Sequence, residues 1–85
     1  MKTMYTEAGV KLKKKEINLI NALKRLEKRW EKDGKDLWLF SASSTLYVMM
    51  YGGTKRNPEP DYKKESVNPN NAITSIKIPN DGGDW

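Results

Sequence analysis

The chain contains no cysteine and no histidine among its 85 residues. Without cysteine it can form no disulfide framework, thiolate nucleophile or cysteine zinc site. Without histidine it lacks the commonest general base and the commonest metal ligand. No apolar run approaches the roughly 20 residues that a membrane-spanning helix needs, and the N-terminus has no signal-peptide h-region. These absences predict a small cytoplasmic protein that is not an enzyme, does not contact a membrane, and binds no cofactor and no metal.

The size of the chain predicts one small domain over residues 1–85. At 9.8 kDa, with 36% hydrophobic and 32% charged residues, it has the composition of a globular protein. A chain of this length buries roughly 60–65% of its unfolded surface, so it can build one small core.

The positive charge of the chain is concentrated in its first part. The net charge is +5, yet residues 1–35 contain 11 Lys/Arg against 5 Asp/Glu. Such asymmetry favours a polyanion or an acidic protein surface as partner, and the alternative is an ordinary solvated helix face. The candidate basic patch comprises Lys11, Lys13, Lys14, Lys15, Lys24, Arg25, Lys28 and Arg29.

The hydrophobic pattern predicts a long amphipathic helix over about residues 7–33. The apolar residues recur at helical spacings, and they are Leu12, Leu19, Leu23, Leu26 and Trp30, with Ile17, Ile20 and Ala22 widening the stripe. Thr6 is the expected N-cap, although Gly9 can delay the helix. Gly34 stands where a left-handed residue usually ends a helix.

After the helix the pattern changes to the alternation of β-strands. Residues 37–51 predict a hairpin that turns in the serine-rich segment 41–45, and residues 54–71, which hold three of the four prolines, predict a long loop. A third strand is expected over about residues 72–78, followed by a tail over 79–85. The predicted fold is therefore α+β, with one long N-terminal amphipathic helix packed on a three-stranded antiparallel sheet in the order α-β-β-β.

Both faces of the predicted hairpin are apolar. If the turn has two or four residues, one face carries Leu37, Leu39, Leu46, Val48 and Met50, and the other is the candidate interaction face Trp38, Phe40, Tyr47, Met49 and Tyr51. One helix can cover only one face. The second face can be covered by the 54–71 loop and Trp85, by a second copy of the chain, or by the bases of a single-stranded nucleic acid.

Potential catalytic and metal-binding groups are few. Ser41, Ser43 and Ser44 have no histidine to activate them and are typical of a turn. Glu59 and Asp61 form a weak carboxylate pair, because nothing around them indicates a tuned pKa. The carboxylates of the tail, at Asp81 and Asp84, do not match the spacing of a calcium loop. We expect no catalytic and no metal-binding residues.

Two segments resemble small uncharacterised phage and prophage proteins. They are residues 37–49, Leu-Trp-Leu-Phe-Ser-Ala-Ser-Ser-Thr-Leu-Tyr-Val-Met, and residues 79–85, Pro-Asn-Asp-Gly-Gly-Asp-Trp. The resemblance covers about half of the chain, and those proteins often have Ser-Gly in the hairpin turn where this chain has Ser43-Ser44. It implies a mobile-element origin in a bacterial host cell and carries no functional residue with it.

These observations together predict a protein that acts by binding other macromolecules. We expect a homo-oligomer formed through the hairpin sheet, with a host or phage protein as a further partner. The alternative is binding of single-stranded nucleic acid by the aromatic face and the basic helix.

Overall fold

The computed structural model describes residues 3–82 and confirms the α+β class, with one long amphipathic helix and a three-stranded antiparallel sheet. The chain divides into two compact units, residues 1–33 and residues 34–85. We call them the helix unit and the sheet unit.

The helix α1 spans Lys14–Asp33 and begins seven residues later than the hydrophobic pattern predicts. The preceding segment folds back on itself instead, with Tyr5 and Lys11 paired as an antiparallel bridge. The hydroxyl of Thr6 accepts a hydrogen bond from the Val10 amide at 3.0 Å, so Thr6 caps this turn and not the helix. Gly9 has a φ of 92°, a left-handed conformation that a helix cannot contain.

The two ends of α1 differ from the expected caps. The Glu16 carboxylate accepts a hydrogen bond from the Lys13 amide at 2.7 Å, which is one half of a capping box and explains a polar residue on an apolar stripe. At the other end Gly34 does not adopt a left-handed φ. Its carbonyl accepts a hydrogen bond from the Leu37 amide at 3.1 Å, and the chain passes directly into the sheet unit.

The residues of the apolar stripe on α1 differ in their exposure. Ile17 is buried, and Leu12, Ile20 and Trp30 are partly buried. Leu19, Leu23 and Leu26 are exposed.

The main sheet consists of β1 (Leu37–Ala42), β2 (Thr45–Met50) and β5 (Ala72–Ile76), in the order β1-β2-β5. Both pairs are antiparallel, and a register shift interrupts the pairing of β2 with β5 between Val48 and Met49. The hairpin turn has two residues, Ser43 and Ser44, with φ values of 52° and 61°. Two consecutive left-handed residues are the signature of a type I′ turn.

The segment predicted as a plain loop over 54–71 contains ordered structure. It forms a second small sheet from β3 (Tyr62–Lys63) and β4 (Ser66–Val67), followed by a 3-10 turn over Pro69–Asn71. Lys64 and Glu65 form another left-handed turn. Neither residue favours that conformation, so no local signal in the sequence indicated the hairpin.

Buried amides hold this segment together. Asn68 has no exposed surface and Asn71 very little. The Asn68 amide donates to the Pro60 carbonyl at 2.7 Å, and the Asn71 amide donates to the same oxygen at 3.0 Å. This polar segment has few apolar side chains to bury. Because the buried amide donors are satisfied, their hydrogen bonds stabilise the segment in place of an apolar core.

The C-terminal segment returns to the hairpin turn. The Ser41 hydroxyl donates to the Asn80 side chain, and the Asn80 amide donates to the Ser44 carbonyl at 3.2 Å. Gly82 lies so close to the backbone of Ala42 that a Cβ atom there would stand 2.9 Å from the Ala42 nitrogen. The expected covering of the sheet by Trp85 lies outside the described residues.

Candidate interaction surfaces

The register of the hairpin fixes two faces of the sheet. Leu39 pairs with Val48, and Trp38 pairs with Met49, so each face contains the residues that a two-residue turn predicts. We call the face with Leu39 and Val48 the aliphatic face, and the face with Trp38 and Met49 the aromatic face. The aliphatic face comprises Leu37, Leu39, Leu46, Val48, Met50 and Ile76, together with two polar residues, Ser41 and Thr74.

The aromatic face is the more buried one at its centre. Met49 is completely buried, so it cannot contact a partner as the sequence suggested. Trp38, Phe40 and Tyr47 are partly buried, and Tyr51 at the margin is 47% exposed. The aromatic face is therefore buried at its centre, at Met49, and exposed at its margin, at Tyr51.

The aromatic rings contact one another. Trp38 is stacked on Tyr51 with ring centroids 6.0 Å apart and an interplanar angle of 26°, and it meets Phe40 in a tilted pair at 5.9 Å. Among the described residues the buried Trp38 Nε1 has no hydrogen-bond acceptor. A nucleic-acid base that stacked on the Tyr51 side of Trp38 would have to displace Tyr51.

The aliphatic face has no buried residue. Val48 and Met50 on the central strand are partly exposed, and Leu39 on the neighbouring strand is 47% exposed. The aromatic face, in contrast, contains Ala42 and Met49, which have no exposed surface. This contrast identifies the aliphatic face as the less tightly packed face of the sheet.

The candidate basic residues lie within and just before α1, and all of them are exposed. Lys11 and Lys13 precede the helix, and the other six lie on it. Two of the six form exposed ion pairs, Lys24 with Glu27 at 3.5 Å and Arg29 with Asp33 at 3.9 Å. Among residues 3–82, Arg25 and Lys28 have no carboxylate partner.

The sequence divides its charge between the two units. Residues 1–33 contain ten Lys/Arg and five Asp/Glu, whereas residues 34–85 contain six of each. The helix unit therefore holds the whole net charge of +5, and the sheet unit is neutral. Any electrostatic attraction of a polyanion must act through the helix unit.

The residues considered for catalysis have structural roles. Ser43 and Ser44 form the type I′ turn, and Ser41 holds the C-terminal segment. The Asp61 carboxylate accepts a hydrogen bond from the Gly52 amide at 2.6 Å. Within the part of the chain that the structure describes, no group of three or more acidic residues could hold a metal ion. Asp84 lies outside the described residues.

Glu59, the other member of the carboxylate pair, is stabilised in its charged form. Its carboxylate accepts a hydrogen bond from the Asn68 amide at 3.1 Å and lies 3.5 Å from the Lys63 ammonium. The Asn68 hydrogen bond, and after it the charge of Lys63, lower the pKa of the Glu59 carboxyl below its ordinary value. A general acid at neutral pH requires the opposite shift.

Comparisons with known proteins add no relative. No protein-family model, no curated protein and no solved structure matches the chain. Among the described residues no helix has the length and apolar character needed to cross a membrane.

Proposed function

We propose that this protein is a non-enzymatic binding protein that self-associates through the aliphatic face of its sheet. The observation that carries the proposal is the contrast between the two faces: Ala42 and Met49 on the aromatic face are fully buried, while no residue of the aliphatic face is buried. Contact between water and exposed aliphatic side chains is unfavourable, and a second apolar surface relieves that cost.

The charge distribution favours a second copy of this chain as the partner that covers the aliphatic face. The sheet unit is neutral, so no net repulsion opposes contact between two copies of this face. The exposed leucines of α1 differ in this respect, because two helix units would bring +5 against +5. Two-fold symmetry places the same patch on both subunits, and an aliphatic patch is complementary to itself.

The small area of the face predicts a weak association. Three strands about 4.8 Å apart and about 20 Å long present roughly 300 Å² in projection, below the 800 Å² per partner of a standard interface. We therefore expect dissociation constants in the micromolar range or above and rapid exchange between monomer and dimer.

Sedimentation velocity over a concentration series, from about 10 µM to 1 mM, tests this proposal. We expect the weight-average sedimentation coefficient of the natural chain to rise with concentration. Leu39→Lys puts a charge within the contact and should abolish the rise, since a buried unpaired charge is strongly unfavourable.

Ile73→Lys is the matched control. Ile73 is 55% exposed on β5 and stands at the register shift, outside the paired positions of the aliphatic face. This variant adds the same charge to the same unit and should self-associate as the natural chain does. A strict monomer at 1 mM, or an equal effect of both substitutions, contradicts the proposal.

The second hypothesis is binding of single-stranded nucleic acid by the aromatic face. The 47% exposure of Tyr51 supports it, and the burial of Met49 and the stacking of Trp38 on Tyr51 count against it. Tryptophan fluorescence that stays unchanged when an oligonucleotide is added at low salt would exclude this function. A phage or prophage origin is a proposal that rests on the resemblance of residues 37–49 and 79–85 alone.

A further inference from the structure

A line of polar residues runs along α1 without a single carboxylate. Its members follow one another at alternating intervals of four and three residues, and they are Lys14, Asn18, Asn21, Arg25, Lys28 and Lys32. That spacing keeps all six side chains on one side of a helix. At about 1.5 Å per residue, the line is roughly 27 Å long. We call it the cationic line.

The acidic residues of α1 are kept off this line. Glu16, Glu27, Glu31 and Asp33 all occupy other positions of the helix. Successive residues advance by about 100° around the helix, which places Glu31 and Asp33 about 60° or more from the margins of the line. A merely solvated face usually mixes both signs in i,i+4 pairs, so this separation needs another explanation.

The middle of the line is accessible and its charges are uncompensated. A shallow concavity of about 260 Å³ is lined by Asn21, Lys24, Arg25 and Lys28. Arg25 and Lys28 have no carboxylate partner among residues 3–82. Two unpaired cations beside an amide provide donors for phosphate oxygens and an amide that can pair with a base edge.

We propose that the cationic line of α1 binds duplex DNA, with the helix lying in the major groove. The groove is about 12 Å wide, which matches the 10–12 Å diameter of a helix with its side chains. The major groove of A-form RNA is too deep and narrow for such a helix. The four cations contact phosphates, and the two asparagines face the base edges. This function is independent of self-association by the sheet.

Fluorescence anisotropy with a labelled 20-base-pair duplex tests the proposal. We expect the natural chain to bind at 50 mM salt and to lose affinity steeply by 200 mM, because phosphate contacts release counterions. The double variant Arg25→Gln with Lys28→Gln should weaken binding about tenfold or more at 50 mM salt. It should also reduce the slope of log K against log salt by about two, one for each lost phosphate contact.

The double variant Lys11→Gln with Lys15→Gln is the matched control. It removes the same number of positive charges from the helix unit, one before α1 and one on the side of α1 that carries the exposed leucines, and should change affinity less than threefold. Circular dichroism checks that both variants keep the helix. Equal losses in the two variants, no binding at 50 mM salt, or tighter binding to a single-stranded oligonucleotide or to phosphatidylserine vesicles would overturn the proposal.

Discussion

Ser43 and Ser44 turn the hairpin with two left-handed residues, although serine has a Cβ that disfavours this conformation. The type I′ turn prefers Asn-Gly, and glycine adopts positive φ without steric cost. The side chain of Ser44 is therefore a local source of strain that the pairing of β1 with β2 offsets.

Ser44→Gly should raise the free energy of unfolding by about 1 kcal/mol, since it removes the cost of one left-handed residue with a Cβ. Urea denaturation measures the change. Ser75→Gly, an exposed position inside β5, is the matched control and should instead lower stability by about 0.5–1 kcal/mol. Loss of stability in both variants would mean that Ser44 is not left-handed.

Glu59 makes the stability of the sheet unit depend on pH. Its pKa is lower in the folded chain than the ordinary value of 4.5, first because of the Asn68 hydrogen bond and then because of Lys63. A group with a depressed folded pKa contributes stability above its unfolded pKa, and this contribution is lost as the pH falls through the folded pKa.

Glu59→Gln should therefore weaken the dependence of stability on pH below about pH 4.5 while leaving the fold intact at pH 7. Thermal denaturation from pH 3 to pH 7 measures the difference, and carbon-13 NMR of the carboxyl gives the pKa directly. A Glu59 pKa at or above the ordinary value would contradict the account.

At the scale of elements, the helix begins where a side chain caps it. Glu16 satisfies the Lys13 amide, and the four N-terminal amides of a helix otherwise lack partners. Glu16→Ala should destabilise α1 by about 0.5–1 kcal/mol, whereas Glu16→Gln retains the hydrogen bond and most of the stability. Amide exchange at Lys13 and circular dichroism check both. If Glu16→Ala and Glu16→Gln destabilise the helix equally, Glu16 does not cap it.

The elements with strong periodicity were predictable and those with unusual local conformations were not. The hairpin faces followed from alternation and an even turn length, and the register of Leu39 with Val48 confirms them. The sequence predicts the start of the helix too early because Thr6 resembles an N-cap, whereas it caps a turn around Gly9. It does not predict the β3–β4 hairpin because Lys64 and Glu65 give no turn signal.

The surfaces were harder to predict than the elements. Periodicity identifies which residues share a side of a helix but not how far each is buried, so the sequence does not predict that Ile17 is buried while Leu19 and Leu23 are exposed. Likewise, composition favours the aromatic face for interactions, whereas the burial of Ala42 and Met49 makes it the more tightly packed face. Burial depends on distant contacts that local pattern does not encode.

At the scale of the whole molecule, two properties are assigned to two parts of the chain. The helix unit holds all the net charge, and the sheet unit is neutral with a partly exposed aliphatic face. Salt should therefore weaken DNA binding without weakening self-association. Screening weakens DNA binding by the cationic line, while apolar contact between sheets is unchanged or strengthened.

Intermolecular paramagnetic relaxation in NMR tests the self-association most directly. The chain has no cysteine, so Thr74→Cys introduces a single site for a nitroxide label, exposed at the margin of the aliphatic face and paired with Val48. Labelled protein is mixed with an equal amount of nitrogen-15 protein at 1 mM. The account predicts broadening of amides in β1 and β2 that disappears with Leu39→Lys. No broadening, or broadening that persists in this variant, would contradict it.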